Sequence, residues 1–291
     1  HIWQRLAVFG YLAAVALSVA VMLFGREING SKRWLALGPF SFQPSEFAKV
    51  ALILFLADLV TKNVKTIGKM WTLCRIMFWI LPIVGLVGAS NLSTAIIILG
   101  IGVILIFVAS PKYAQFAMMG IAGACFMGIF LALESYRLER LAIWRNPEKY
   151  EKGYQTLQGL YAIGSGGVFG VGIGNSVQKL GFVPEAQNDM IFSIICEELG
   201  LAGAGIIVFL FLLLIWRFFL IASGSRDLFG ALIATGAMAH MMIQVILNIA
   251  VVTNTIPNTG ITLPFISYGG TSVMFLLIEM GLVLSVSQVV D

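Results

Sequence analysis

The residues best suited to chemistry in this chain are two carboxylates four positions apart, Glu185 and Asp189. They close the polar run Gly174-Asn175-Ser176-Val177-Gln178-Lys179-Leu180-Gly181-Phe182-Val183-Pro184-Glu185-Ala186-Gln187-Asn188-Asp189, which leads straight into an apolar helix. A carboxylate at the mouth of such a helix can accept a proton from an attacking hydroxyl, provided it lies within hydrogen-bond reach. Two roles are open for Glu185, orienting Asp189 or standing as a solvated loop carboxylate. Glu46 and Lys49 are spaced i, i+3 just after Pro44, a residue that suits the first turn of a helix. They fit a charged cavity wall or a structural ion pair. His240, Gln244 and Asn248 recur every four residues as one polar stripe, for which hydrogen bonding between helices is the favoured role over a substrate track. Ser267 and Tyr268 offer hydroxyls beside Gly269-Gly270, where the backbone can approach a neighbour or a ligand closely. Glu279 lies deep in the last apolar run and needs a partner. Asp58, near the end of its run, is expected to reach water, and one of Glu197 and Glu198 to cap or pair locally. Cys74, Cys125 and Cys196 lie far apart in apolar runs, which suits packing and gives no metal-ligand spacing.

The elements that must hold these groups follow from composition. Mean hydropathy is +0.96, with 59% hydrophobic and 11% charged residues, against about 25% charged in a soluble domain. The chain therefore reads as an all-α, polytopic transmembrane helix bundle and as a single integral membrane domain over 1–291. A spanning helix needs about 20 apolar residues, and eight spans are expected: 5–25, 44–62, 73–90, 93–110, 113–134, 190–216, 228–252 and 271–289. The runs are continuous and do not alternate, which excludes a closed β-barrel. No cleavable signal peptide is visible, because the first apolar run is too long and lacks a small-residue cleavage site.

Orientation follows the basic residues in short loops. Lys62, Lys65 and Lys69, then Lys112, then Arg217 and Arg226, fall on one side if eight spans alternate, and that side is expected to be cytoplasmic. The other side then receives 26–43, a short turn near 90–92, the long stretch 135–189, and 253–270. It also carries Arg26, Lys32, Arg33, Arg137, Arg140, Arg145, Lys149, Lys152 and Lys179. An anionic ligand at the outer leaflet would account for them, as would pairing with Glu27, Glu139, Glu148 and Glu151. Residues 135–189 are too long for an idle connection. Within them, 155–174 is apolar but studded with glycine, which suits a re-entrant or interfacial segment.

Five blocks, in this order, carry a resemblance. They are Gly30-Ser31-Lys32-Arg33-Trp34-Leu35; Gln43-Pro44-Ser45-Glu46-Phe47-Ala48-Lys49; Gly153-Tyr154-Gln155 with Ala162-Ile163-Gly164-Ser165-Gly166-Gly167; Gly174 through Asp189 followed by Glu197-Glu198-Leu199-Gly200; and Gly260-Ile261-Thr262-Leu263-Pro264-Phe265-Ile266-Ser267-Tyr268-Gly269-Gly270. Over nearly its whole length the chain resembles the SEDS family (shape, elongation, division and sporulation; FtsW/RodA/SpoVE), and Asn175 to Leu180 looks like the FtsW/SpoVE branch. The resemblance implies ten spans, so two amino-terminal helices are expected to precede the first one here. One departure stands out: the family's usual Pro-Asp-Leu-Gly-Thr reads Ser90-Asn91-Leu92-Ser93-Thr94 here, with the charge lost at Asn91.

What the resemblance implies is a peptidoglycan glycosyltransferase that polymerises lipid II at the outer leaflet of the bacterial cell (inner) membrane. The family's essential aspartate maps onto Asp189, as general base, with undecaprenyl pyrophosphate leaving. Substrate contacts are expected at Arg33, Glu46, Lys49, Arg140, Lys179, Glu185, Ser267 and Tyr268. A divalent cation such as Mg²⁺ could assist, without a dedicated metal motif. The implied partners are a class B penicillin-binding protein and other divisome or elongation proteins, and no nucleic acid. Two rival classes remain: a lipid II flippase and a non-catalytic division scaffold.

Overall fold

The computed structural model describes residues 2–28, 31–37, 40–117, 120 and 141–288. Most of the expected fifth span, 113–134, lies outside the described residues, as do Cys125, Arg137, Glu139 and Arg140; residues 113–117 are helical. The described helices are α1 (Ile2–Phe24), α2 (Pro44–Asn63), α3 (Met70–Ser90), α4 (Leu92–Ala109), α5 (Tyr154–Ser165), α6 (Ile191–Gly224), α7 (Leu228–Val252) and α8 (Gly270–Ser287). Six of them, α1, α3, α4, α6, α7 and α8, are long and apolar enough to cross a membrane. The chain divides into two compact units: 1–115 with 215–243 and 269–291, and 116–214 with 244–268.

In the first unit α2 lies beside α1, α3, α4 and α8. This position explains its composition. The helix carries Glu46, Lys49, Asp58 and Lys62, too many charges for a lipid-facing span, yet 13 of its 20 residues are buried. Ionisable groups at membrane depth are tolerated when protein rather than lipid surrounds them. Pro44 opens α2 at a position where its missing N–H costs nothing. Tyr11, Phe55 and Trp79 lock α1, α2 and α3 together, with ring centroids 4.3 to 5.8 Å apart. The Tyr11 hydroxyl donates to the Trp79 carbonyl at 2.7 Å. Asp58 does not reach water: it is buried and accepts from Lys62 Nζ at 2.6 Å and Gln4 Nε2 at 2.8 Å. Two long neighbouring side chains reach it before solvent does.

Within 26–42, expected as a loop, the described residues form a small antiparallel sheet of order β1-β2-β3, with β1 at Arg26–Ile28, β2 at Ser31–Leu37 and β3 at Phe40–Phe42. Arg26 pairs with Trp34 and Leu35 with Phe42. β1 and β3 have three residues each, too few to show alternation by sequence pattern, and the pairing supplies the hydrogen bonds that such a connection would otherwise take from water. Arg33 Nε donates to the Ser90 carbonyl at 3.2 Å, and Thr271 of α8 donates to the Ser41 carbonyl at 2.9 Å, so the sheet is tied to the ends of α3 and α8.

In the second unit, two single-turn 3₁₀ segments (Pro147–Lys149 and Glu151–Gly153) lead into α5. A glycine-rich ribbon follows over 166–174. It runs against a break in α6, where Gly200 adopts φ 67°, ψ −172°. Val171 and Gly172 donate to the carbonyls of Glu197 and Glu198 at 2.9 and 3.0 Å. Leu201 and Ala202 donate to those of Gly167 and Val168 at 2.9 and 3.0 Å. The helix gives up its own ladder at Gly200 and the ribbon replaces it, which keeps the buried amides satisfied. A Cβ at Gly200 would strike the Val168 carbonyl and the Gly170 amide, so only glycine permits the approach.

Candidate functional site

Asp189 lies two residues before α6 and is 8% exposed. Gln155, in the first turn of α5, places Nε2 3.4 Å from both carboxylate oxygens. Burial pushes the Asp189 carboxyl up to about 6; the like charge of Glu185 adds to the rise, while hydrogen bonds from its own amide, Gln155 and the Met190 amide oppose it. A buried acid with its pKa close to neutrality is poised to exchange protons near physiological pH.

The segment carrying Asp189 is held from one side. Three consecutive carbonyls each accept a proton from 248–268: Gln187 O from the Tyr268 amide at 2.9 Å, Asn188 O from Ser267 Oγ at 2.7 Å, and Asp189 O from Asn248 Nδ2 at 2.8 Å. Asn248 donates again, to the Ile261 carbonyl at 2.7 Å, and Ser267 accepts from the Leu263 amide at 2.7 Å. Gly260, at φ 65°, faces the carboxylate closely enough that a Cβ there would stand 3.7 Å from Asp189 Oδ2.

The expected site residues distribute as follows. Glu185 is exposed at φ 54°, and its carboxylate accepts from the Asn188 side-chain amide. Ser267 is buried in the clamp, and Tyr268 is 74% exposed. Lys179 is held by Glu198 at 2.6 Å. Glu197 and Glu198 pair not within their own helix but with the 176–179 loop, Glu197 accepting from the Ser176 hydroxyl and from the Val177 amide at 3.1 Å. Arg33, Glu46 and Lys49 belong to the other unit, where Glu46 and Lys49 pair at 2.9 Å with both side chains buried. Arg33 helps to line a cavity of about 20 Å³ with Ser18, Ser45, Ser90 and Asn91. Asn91 caps α4, accepting from the Thr94 amide at 3.2 Å, a task an aspartate performs equally well. Arg140 lies outside the described residues. Glu279 finds His240, whose Nδ1 lies 2.8 Å from it.

Sequence reasoning missed Gln155 and misassigned the lower part of the polar stripe. Gln244 donates to the Thr262 carbonyl at 3.0 Å, and Asn248 reaches Asp189 and Ile261, so both bind loop backbone rather than another helix. A period of four shows that the three side chains share a face but says nothing of what meets it. Among the described residues no three His, Cys, Asp or Glu side chains gather as a metal site would require.

Fold and site together define a polytopic membrane protein with a buried acid at the mouth of a broken helix. The chain belongs to the FtsW–RodA–SpoVE family of cell cycle proteins, whose model matches residues 1–291. It is 42% identical over 275 residues to Stage V sporulation protein E of Bacillus subtilis, covering 91% of this chain and 73% of that one. It is 37% identical over 300 residues to a Coxiella burnetii protein named "Probable peptidoglycan glycosyltransferase FtsW", covering 98% and 79%. Among solved structures it matches a chain of a peptidoglycan synthase complex that coordinates polymerization and crosslinking, with a TM-score of 0.86, 30% identity and coverage of 98% and 82%.

Proposed function

We propose that this protein is a peptidoglycan glycosyltransferase that polymerises lipid II at the extracytoplasmic face of the bacterial cell membrane, with Asp189 as general base. The observation that carries the proposal is the buried, clamped carboxylate of Asp189 with its pKa raised to about 6. The names of the relatives support the same reaction. A sugar hydroxyl attacks the anomeric carbon and its proton passes to Asp189. The new C–O bond forms as the bond to the pyrophosphate breaks, and undecaprenyl pyrophosphate leaves with the electron pair. One displacement inverts the anomeric carbon and needs no enzyme nucleophile. Gln155 orients the carboxylate, and Glu185 keeps its proton affinity high. Fixed cations stabilise charge on a leaving group, and Lys179, in the same unit as Asp189, is proposed for this. Lys179 would exchange its carboxylate partner for phosphate. A class B penicillin-binding protein is the proposed partner, consistent with the synthase complex.

The test is lipid II polymerisation by purified protein with that partner. Asp189→Asn is expected to lower the rate by about 10²–10⁴-fold, the usual contribution of a positioned base. Polymer formed at the wild-type rate would refute the assignment.

One observation favours a second reading, a lipid II flippase. Glu46 and Asp58 lie twelve residues apart on α2 and are both buried, a separation of roughly 18 Å along a helix. Polar groups therefore exist at several depths. Each is closed in an ion pair, whereas a translocation track needs accessible groups. Lipid scrambling by the protein in vesicles, with the Asp189→Asn variant as active as wild type, would favour the flippase.

A further inference from the structure

We infer that Asn248 is a positioning residue for Asp189, fixing the acid's main chain to the 254–268 segment through its two donated hydrogen bonds. The inference rests on Asp189 being the base, as proposed above. Asn248 is fully buried, so its side chain, rather than bulk solvent, satisfies the groups it meets. Its Nδ2 meets two carbonyls, Asp189 O at 2.8 Å and Ile261 O at 2.7 Å. Two converging acceptors require a group with two protons and no lone pair facing them, and a primary amide supplies this. Aspartate would bring oxygens against oxygens; leucine would leave both carbonyls unsatisfied; glutamine would carry the amide one carbon too far.

The geometry is more specific than general stitching. Gln187, Asn188 and Asp189 are consecutive, and each is held by one donor from the same part of the chain. Of the three holds, the one on Asp189 itself comes from a helix, α7, rather than from the loop. It is anchored by regular structure, while Ser267 and Tyr268 lie in the loop between α7 and α8. Ile261, the second acceptor, follows Gly260, which faces the carboxylate. A single amide thus sets the acid and the backbone beside it in register. The charged group acting on Asp189 is Glu185, from its own loop.

The experiment compares wild type, Asn248→Ala, Asn248→Gln, Ser267→Ala and Asp189→Asn, each as full-length protein with its penicillin-binding partner, in lipid II polymerisation from pH 5 to 8. Rates are normalised to folded protein. Asn248→Ala is expected to lower kcat by at least ~10-fold, since small misplacements of reacting groups are costly, with KM for lipid II little changed. Its acid limb should move to lower pH, because a loosened Asp189 is hydrated and becomes a stronger acid. Asn248→Gln should recover part of kcat. A wild-type kcat and acid limb in Asn248→Ala, beside an inactive Asp189→Asn, would overturn the positioning role and leave the base assignment standing. A loss of rate with an unmoved acid limb would overturn it as well, marking Asn248 as merely structural. Should Asn248→Ala fail to fold, Asn248→Gln is read by the same two criteria. An active Asp189→Asn would overturn both readings.

Discussion

At the scale of the residue, Asp189 is held in a state that costs stability to keep. Its folded pKa of about 6 lies above the ordinary value of 3.8, so the fold prefers the protonated acid. That preference is fully present below the unfolded pKa and is lost as pH rises through 6. At pH 7 the ionised carboxylate therefore costs on the order of 3 kcal/mol. Two outcomes follow from the sign. Asp189→Asn should melt no lower than wild type at neutral pH, and by calorimetry or thermal shift slightly higher, even though it loses polymerisation. The wild-type rate should fall as pH drops through about 6 and level off above it, because a base must be deprotonated before it can act; a rate that is flat from pH 5 to 8 would contradict this.

At the scale of the element, the break in α6 does the positioning. A continuous helix from 191 to 224 would leave the glycine ribbon without its partners. Instead Gly200 turns the chain, and four hydrogen bonds cross to 167–172. Gly200→Ala should destabilise the protein by at least about 1–3 kcal/mol, the typical cost of a left-handed non-glycine residue, before the clash with Val168 and Gly170 is added. Gly164→Ala is the matched comparison. Gly164 lies in α5 with ordinary helical geometry and open space around its Cα, so alanine there should be neutral or stabilising by up to about 1 kcal/mol. Thermal melts of the two variants in detergent distinguish the effect of the break from that of removing any glycine. The ribbon's glycines were visible in the sequence, but their use was not, because a close approach between distant segments leaves no local pattern.

At the scale of the whole molecule, one buried polar pair joins two helices. His240 of α7 and Glu279 of α8 are each 2% exposed and meet at 2.8 Å. Removing one partner strands the other in a buried site, which costs about 3–5 kcal/mol, while replacing both with apolar residues of similar size is often tolerated. Glu279→Leu and His240→Leu should each destabilise strongly. The double variant should lose much less than the sum, and a double-mutant cycle by chemical or thermal denaturation measures the coupling. Near-additive losses would mean that the two side chains do not stabilise one another.

The sequence by itself determined the class of architecture, anticipated helices at seven of its eight expected spans, six of them long and apolar enough to cross a membrane, and singled out the carboxylate proposed as the base. Hydrophobic runs of this length can satisfy their backbone only as helices, and a carboxylate ahead of such a run is conspicuous whatever surrounds it. Tertiary structure decided everything that depends on who faces whom. It made Asp58 a buried partner of Lys62 and Gln4, gave Glu279 its histidine, turned 26–42 into a sheet, and set Asn248 against the carbonyl of Asp189. These choices rest on contacts between residues far apart in the chain: 54 positions for Gln4 to Asp58, 39 for His240 to Glu279 and 59 for Asn248 to Asp189. Periodicity records which face a side chain occupies, and only packing supplies what stands opposite it.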